Sequence, residues 1–554
     1  MNGTIPESIG LLSSITSMSL GWNAIHGDLP LSFKGLSSLS ILDLTYTQFS
    51  LPSNFTFPIN LQRLILSGNT LKTPPLSIST LPLIELDYSS NILDLALFKS
   101  ISSIKTLQKL TLYFCRWNTS PTTISGFPSL TYLNLYANGL GTIPEINLPS
   151  LMYLNLAWNR FDHLTQTTFQ NLSRLTYLDL SYNAFSEPLP ASFDFLPSLK
   201  TLNLQNNFFR PPATENIFLR LTSLVSLDLS SSQIGLWSSV PLNFNSSFLT
   251  TLNYEMCGAS SFPNVFTPLS SLKNLMLAHN GITGTLPTLF STFTSLTNLD
   301  LGGNFLSGTI PSLQALSAIS TLDFSGNILR GNISSFNHSS LISLYLNWNI
   351  LQGTIPSTFG PFPGLVKLSV PGTRLEGTIP DILGTFTALR YLDLSDNSFN
   401  GTFPSISALS YLSYLDISGN LFSATSLDNI GITPSLLSLG LSRNPLGDFP
   451  SSLTHLTLTS LSLSGAGLDS IPDTITQLSS LISLELSSNN ISSISPLIGK
   501  LSKLSSLQMD GNQISGIFPS YLSSLYQVNS LDLSTNYFES ISESIVSLTS
   551  LSYL

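Results

Sequence analysis

The chain has 554 residues and a formal net charge of −10, with 9 % charged and 42 % hydrophobic residues. The charged fraction is far below the roughly 25 % of an average globular protein, which disfavours an assembly of ordinary domains. The negative charge disfavours nucleic acid as a partner. The sequence has no run of about 18 apolar residues, so no transmembrane segment is predicted within it.

One pattern recurs along the whole chain. It reads LTYLDLSYNAF at Leu175–Phe185, LRYLDLSDNSF at Leu389–Phe399 and VNSLDLSTNYF at Val528–Phe538. The shared frame is L-x-x-L-x-L-x-x-N-x-L, and we call its Asn position the ladder position. The frame occurs 23 times in phase, 17 times with Asn at the ladder position, in steps of 21 to 25 residues. A period this regular is typical of a solenoid.

Each L-x-L of the frame predicts a short strand whose leucines point inward and whose intervening residue points outward. Stacked strands would form one parallel sheet. The ladder Asn amides would bond the backbone groups of the following turn, which have no strand partner. A single repeat has too little core to fold alone, so the stability must come from stacking.

The frame resembles the leucine-rich repeat family over essentially the whole chain. Its ending G-T-I-P, at Gly3–Pro6, Gly308–Pro311, Gly353–Pro356 and Gly377–Pro380, resembles the plant-type repeats of receptor-like kinase ectodomains, receptor-like proteins and polygalacturonase inhibitors. The resemblance implies an α/β repeat fold. This is a right-handed leucine-rich-repeat solenoid, with a concave parallel β-sheet and a convex side of loops and 3-10 turns. Residues 1–554 would form a single domain.

The resemblance also implies a function. It favours a non-catalytic ectodomain of a cell-surface receptor-like protein, extracellular, that recognises a protein or peptide ligand on its concave face. An intracellular scaffold in the cytoplasm or a soluble inhibitor protein is the alternative. The sequence contains no catalytic motif, no nucleotide-binding loop and no His or Cys pair at ligand spacing. No enzyme activity, cofactor or metal site is therefore predicted.

The chain begins and ends within a repeat. Met1–Gly10 matches the second half of a repeat and lacks a signal-peptide pattern, and Leu548–Leu554 matches the first half of another. Because solenoids need caps, we expect both terminal caps to be missing. A signal peptide, a kinase or a membrane anchor could lie in a longer protein.

Cys115 and Cys257, the only two cysteines, both occupy ladder positions. They lie six repeats apart, about 29 Å at roughly 4.8 Å per strand, whereas a disulfide needs Cα atoms within about 7 Å. We expect no disulfide and two buried structural thiols. Ala466 occupies a ladder position without a polar atom, so a water or an unsatisfied carbonyl is expected beside it.

Two groups of outward aromatic residues follow in chain order. The first patch spans four adjacent repeats and consists of Lys109, Tyr113, Phe114, Tyr132, Tyr136, Tyr153, Trp158, Tyr177 and Tyr182. The smaller second patch consists of Tyr345 and Trp348, followed by Tyr391 and Tyr414. Outward aromatic rings give large contact area at low entropic cost, so both patches are predicted ligand contacts. The alternative is that neighbouring rings simply cover one another.

Two further columns have simpler interpretations. The position between the strand leucines is acidic in ten repeats. Stacked carboxylates could bind Ca²⁺ or raise one another's pKa, but an ordinary solvated consensus position is favoured. The glycosylation candidates are the sequons at Asn54, Asn118, Asn171, Asn245, Asn332, Asn337, Asn400 and Asn490.

Overall fold

The computed structural model of the protein describes residues 2–52, 54–69, 71, 76–210, 218, 220–232, 247–262, 269–333, 338–433 and 435–554. The chain forms two compact units, Met1–Leu275 and Met276–Leu554. Both units are built from the predicted repeat, and each of the 23 frames contains one short strand.

In the first unit, one three-residue strand per repeat forms a parallel sheet. The strands pair in chain order and in register, so the central apolar residue of each strand lies beside that of the next. They are Ser17–Ser19, Ile41–Asp43, Arg63–Ile65, Glu85–Asp87, Lys109–Thr111, Tyr132–Asn134, Tyr153–Asn155, Tyr177–Asp179, Thr201–Asn203, Ser226–Asp228 and Thr251–Asn253.

The second unit repeats this arrangement, again with parallel strands in register. Its strands are Asn298–Asp300, Thr321–Asp323, Ser343–Tyr345, Lys367–Ser369, Tyr391–Asp393, Tyr414–Asp416, Ser438–Gly440, Ser460–Ser462, Ser483–Glu485, Ser506–Gln508 and Ser530–Asp532. One further strand, Asn274–Met276, spans the residues where the two units meet in the sequence.

The return segments carry short strands and short 3-10 helices. The strands are Asn2–Gly3, Ala24–Asp28, Gln48–Ser50, Ile92–Leu93, Arg116–Trp117, Thr123–Ile124, Glu145–Ile146, Thr283–Thr285, Phe305–Ser307, Arg330–Gly331, Ile350–Gly353, Arg374–Gly377, Ser398–Phe399, Ser515–Ile517 and Tyr537–Ser540. The 3-10 helices are Glu7–Leu11, Leu31–Gly35, Leu76–Thr80, Ala191–Phe195, Thr288–Thr292, Asp381–Thr385, Ala424–Ile432, Ser451–His455, Asp473–Gln477, Pro496–Lys500, Ser520–Ser524 and Glu543–Ser547. One α-helix, Leu95–Ser102, is capped by Asp94, whose carboxylate accepts a hydrogen bond from the Leu97 backbone N–H at 2.7 Å.

The core follows the alternation predicted from the frame. Leu178 and Leu180 are fully buried, whereas Tyr177, which directly precedes Leu178 and points outward, is half-buried. The return segments add phenylalanines such as Phe169 and Phe193, whose rings meet edge to face at 5.2 Å. Within the described residues, no helix is long and apolar enough to cross a bilayer.

The ladder position works as predicted. Asn159 is buried, and its amide N–H groups donate to the carbonyls of Leu135 and Leu156, both at 3.0 Å. Its amide oxygen accepts from the backbone N–H groups of Asn138 at 3.1 Å and Leu140 at 3.0 Å. One side chain therefore joins two repeats and satisfies backbone groups that the strand leaves open.

Both cysteines are buried and their thiols are free. The Cys115 thiol points at the Tyr88 carbonyl at 3.6 Å, and the Cys257 thiol at the Leu229 carbonyl at 3.0 Å. Burial raises the pKa of both thiols to about 12. These sulfurs replace the ladder amide as weak donors, and they are poor nucleophiles.

The expectation of an unsatisfied carbonyl beside Ala466 is wrong. The carbonyls that a ladder amide at this position would reach belong to Leu441 and Leu463. Leu441 receives a hydrogen bond from Asn444 at 3.0 Å, and Leu463 receives one from Asn489 at 2.9 Å. Because each ladder Asn reaches carbonyls in its own repeat and in the preceding one, the neighbours cover a single apolar position.

Candidate functional site

The residue before the ladder position, here called the turn position, has a left-handed backbone in all 23 repeats. It is glycine in seven repeats, with φ from 60° to 74°, and another residue in sixteen, with φ from 47° to 58°. This conformation costs an L-residue roughly 1–2 kcal/mol. Glycine would avoid that cost, so the large side chains of Trp22, Tyr46, Phe114, Trp158 and Trp348 are kept at a backbone cost.

The left-handed turn also directs these side chains over the next repeat. A Cβ built on Gly68 would lie 2.5 Å from the ring of Tyr46, and one on Gly372 would lie 2.3 Å from the ring of Trp348. The two glycines are therefore required where a ring from the preceding repeat covers the backbone. Each aromatic residue and the glycine of the following repeat form a pair. Such a pair is not apparent when the turn position is considered one repeat at a time.

The first patch contains a stack of three tyrosine rings at the beginning of its strands. Tyr132 and Tyr153 are 4.1 Å apart at 8°, and Tyr153 and Tyr177 are 4.3 Å apart at 7°. In-register pairing places these side chains directly opposite one another. Burial against the neighbouring ring raises the pKa of Tyr132 to about 12, so this residue remains a neutral phenol at physiological pH.

A second line of rings crosses the ends of the same strands. Phe114 lies 5.7 Å from Tyr136, Tyr136 lies 6.3 Å from Trp158, and Trp158 stacks on Tyr182 at 4.6 Å and 20°. Tyr113 completes this line, 6.1 Å from Phe114 in edge-to-face geometry. Phe114 and Trp158 remain 56 % and 51 % exposed despite these contacts.

The nine predicted residues of the first patch therefore form two connected lines on one side of the sheet. The rings do cover one another, as the alternative interpretation holds, yet Phe114 and Trp158 in the second line remain more than half exposed. Ligand binding by these residues stays a prediction.

Charged side chains border the first patch on the side of Lys109. The Lys109 ammonium lies 5.3 Å from the centroid of Tyr132, within cation–π range, and 2.8 Å from Glu85. Arg63 binds the other oxygen of Glu85 at 2.7 Å. Burial raises the pKa of Glu85, but the hydrogen bonds from Lys109 and Arg63 outweigh it and leave that pKa below its usual value. The carboxylate is thus a fixed anion that orients both cations.

The second patch is smaller and is organised around a cation. The Lys367 ammonium, which was not among the predicted residues, lies 4.9 Å from the centroid of Tyr345 and 4.5 Å from that of Tyr391. Tyr391 stacks on Tyr414 at 4.4 Å and 3°. Trp348, over Gly372, is 59 % exposed. Lys367 thus joins Tyr345 to Tyr391 and Tyr414, whereas the Trp348 ring covers Gly372 of the following repeat.

The acidic column has a structural role in the turn. Asp179 accepts hydrogen bonds from the Ser181 backbone N–H at 3.0 Å and from its hydroxyl at 2.6 Å. Asn134 makes the same backbone contact to Tyr136 at 3.0 Å. Burial raises the pKa of Asp179, Asp300 and Asp393. Repulsion from the aspartate of a nearby repeat raises these pKa values further. In the part of the chain that the structure describes, no group of three or more His, Cys, Asp or Glu side chains could hold a metal ion.

The aromatic pair Trp22 and Tyr46 was missed in the sequence. These rings lie 4.4 Å apart, and Trp22 is 76 % exposed. They occupy the turn positions of two early repeats, as Phe114 and Trp158 do in the first patch. Reading this column from the first repeat would have found them.

The six glycosylation candidates that the structure describes lie outside the frame strands. Asn54, Asn118, Asn332, Asn400 and Asn490 are exposed, and Asn171 is half-buried. Asn245 and Asn337 lie outside the described residues. Glycosylation at these positions stays a prediction.

Comparison with known proteins agrees with this architecture. A family profile described as Leucine rich repeat matches residues 149–209, 456–514 and 502–554, and a second one of the same description matches 271–293, 295–315 and 388–409. No curated protein sequence matches significantly. The predicted resemblance to leucine-rich repeat proteins and the predicted solenoid fold are confirmed.

Solved structures of plant receptors are similar to this chain. One is a plant peptide hormone receptor, RGFR1, in complex with RGF2, with 25 % identity and a TM-score of 0.65, over 100 % of this chain and 90 % of that one. Another is the Arabidopsis receptor kinase HAESA with the peptide hormone IDA and the co-receptor SERK1, with 27 % identity and a TM-score of 0.58, over 97 % and 85 %. A TDR receptor, at 24 % identity and a TM-score of 0.61 over 97 % and 92 %, shows the fold alone.

Proposed function

We propose that this leucine-rich-repeat chain is the non-catalytic ligand-recognition ectodomain of a cell-surface receptor-like protein. Its ligand is a peptide or a protein segment that binds the outward face of the strands at the first patch. The single observation that carries the proposal is the double line of nine side chains, with Phe114 and Trp158 more than half exposed at left-handed turn positions.

The energetics of this surface favour a ligand site. Tyrosine and tryptophan dominate binding hot spots because they bury large areas and lose little conformational entropy. The stack of Tyr132, Tyr153 and Tyr177 already holds its rings at spacings of 4.1 and 4.3 Å, so little ordering is left for binding.

The similar structures support a peptide as the ligand class. Two of them are receptors in complex with peptide hormones, RGFR1 with RGF2 and HAESA with IDA, and both match nearly the whole of this chain. A receptor ectodomain at the cell surface follows from the same analogy. The proposal transfers to this chain only the class of ligand, a peptide, and the cellular setting.

A random peptide library displayed on phage tests the proposal, because it samples many peptide sequences at once. Peptides selected on the wild-type protein are synthesised, and their Kd values are measured against a variant with Tyr132, Tyr153, Trp158 and Tyr177 changed to alanine. We expect at least about thirtyfold weaker binding, because a hot spot contributes roughly 2 kcal/mol or more.

The matched control changes equivalent outward residues of later strands, Ser438, Ser460 and Ser483, to alanine. It should bind the selected peptides as the wild type does. Circular dichroism and urea unfolding establish that the quadruple variant is folded, which we expect because none of its four side chains points into the core. A folded quadruple variant with wild-type affinity would refute the assignment of the first patch.

A further inference from the structure

A cleft interrupts the line of aromatic turn positions at the edge of the first patch. It has a volume of about 460 Å³, within the range of ligand pockets. Its lining includes Tyr46, Ser90, Ile92, Tyr113, Phe114 and Arg116. Tyr46 and Phe114 are its aromatic walls, and Ser90 is the small residue between them.

The cleft has room for an aromatic ring. The ring of Tyr46 lies over Gly68, and Phe114 is the next turn position after Ser90. Neither Gly68 nor Ser90 places a large side chain between these two aromatic walls.

The charge at the rim suits an anion. Arg116 is exposed at the side of the cleft. Over the described ranges of the chain, no carboxylate forms an ion pair with its guanidinium. This differs from Arg63, Lys109 and Arg443, each of which contacts an acidic side chain.

We propose that this cleft is a subsite for an aromatic side chain of the ligand that carries a carboxylate next to it. The ring inserts between Tyr46 and Phe114 at Ser90, and the carboxylate binds Arg116. The assignment deepens the proposed function and rests on it, since it specifies one residue pair of the bound peptide: an aromatic residue beside an acidic group.

The chain itself shows how to fill the cleft without disturbing the fold. Ser90 has φ 56°, and tryptophan already occupies the same turn position at Trp22, Trp158 and Trp348 with φ from 55° to 57°. Ser90→Trp therefore places a ring in the gap on a backbone that accepts it. Ser488→Trp is the control, since Ser488 has φ 58° at a turn position flanked by Gly465 and Gly511 instead of aromatic walls.

The test uses small probes whose binding does not depend on a selected peptide. The probes are 3-phenylpropanoate, N-acetyl-phenylalaninamide and N-acetyl-leucinamide, titrated by ligand-observed NMR against the 554-residue protein. We expect 3-phenylpropanoate to bind most tightly and the leucine amide least. Ser90→Trp should weaken 3-phenylpropanoate at least about tenfold, the size of one lost aromatic pair, and Ser488→Trp should leave it unchanged.

Arg116→Gln separates the two parts of the subsite. It should reduce the affinity of 3-phenylpropanoate to that of the neutral phenylalanine amide and leave the amide unaffected. Equal binding of the leucine and phenylalanine amides, or wild-type binding by Ser90→Trp, would overturn the subsite. Those results would leave the first patch untouched, because its test is the quadruple variant with selected peptides.

Discussion

The ladder makes the effect of an asparagine substitution depend on its neighbours. Asn489 follows the alanine repeat, and its amide oxygen accepts from the N–H groups of Ala466 at 2.9 Å and Leu468 at 3.0 Å. Its amide N–H groups donate to the carbonyls of Leu463 and Leu486, both at 2.9 Å. With alanine at position 466, no second ladder amide reaches Leu463.

Asn512, one repeat later, is the matched comparison. It donates to Leu486 at 3.0 Å and to Met509 at 2.9 Å, and it accepts from the Ile491 N–H at 3.1 Å. Both of its carbonyl partners have another ladder donor, because Asn489 also reaches Leu486 and Asn536 reaches Met509 at 3.0 Å.

The two alanine variants should therefore differ in stability. Asn489→Ala leaves three backbone groups without a partner, those of Leu463, Ala466 and Leu468, whereas Asn512→Ala leaves only that of Ile491. Each buried orphan group costs about 1–3 kcal/mol. The free energy of unfolding should fall by about 2–6 kcal/mol more in the first variant than in the second.

Urea unfolding of both variants, followed by circular dichroism, measures this difference, and equal slopes against urea would show that the unfolded states are comparable. Losses that agree within about 0.5 kcal/mol, or a larger loss for Asn512→Ala, would refute the idea that neighbouring amides share carbonyls.

Three further outcomes follow from the same structure. Cys115 and Cys257 have a pKa of about 12, so only about one thiol in ten thousand is ionised at pH 8. A thiol reagent should therefore label both cysteines slowly in the native protein and fast in urea. Fast labelling of the native protein would contradict their burial. Burial raises the folded-state pKa of Asp179 above its unfolded value, so this carboxylate destabilises the fold at neutral pH, and the loss disappears as the pH falls through the folded pKa towards the unfolded one. Asp179→Asn, which keeps the turn hydrogen bond, should therefore be at least as stable at pH 7 and show less stabilisation on acidification in urea melts; a loss of stability at pH 7 would contradict this. Thr535→Gly should raise the free energy of unfolding by roughly 1 kcal/mol because a β-branched residue with φ 53° becomes glycine, and an unchanged urea midpoint would show that this turn carries no strain.

The frame of the sequence was sufficient to predict the 23 strands of the L-x-L positions, because their period is a local feature that stacking leaves in register. The short strands of the return segments, such as Ala24–Asp28 and Ile350–Gly353, were not predicted. The same period indicated that the rings of the first patch lie on neighbouring strands, as their stacking distances of 4.1 and 4.3 Å show. The turn geometry was not predictable in this way. The left-handed backbone that carries Trp22 and Tyr46 has no strict residue preference, and the ring of Tyr46 over Gly68 depends on a neighbour 22 residues away.

The error at Ala466 has a related cause. The expectation treated each repeat as a closed unit, whereas ladder amides serve carbonyls in two repeats. Lys367 was overlooked for the same reason, since its importance arises only when Tyr345 and Tyr391 come to lie on either side of it.

Hydrogen exchange of the protein with and without a phage-selected peptide tests the central claim most directly. The account predicts that bound peptide slows exchange in the strands from Lys109–Thr111 to Tyr177–Asp179 and their following turns, with no change from Ser438–Gly440 to Ser506–Gln508. Protection confined to the later strands, or to the return segments on the opposite side, would contradict the assignment of the first patch as the ligand site.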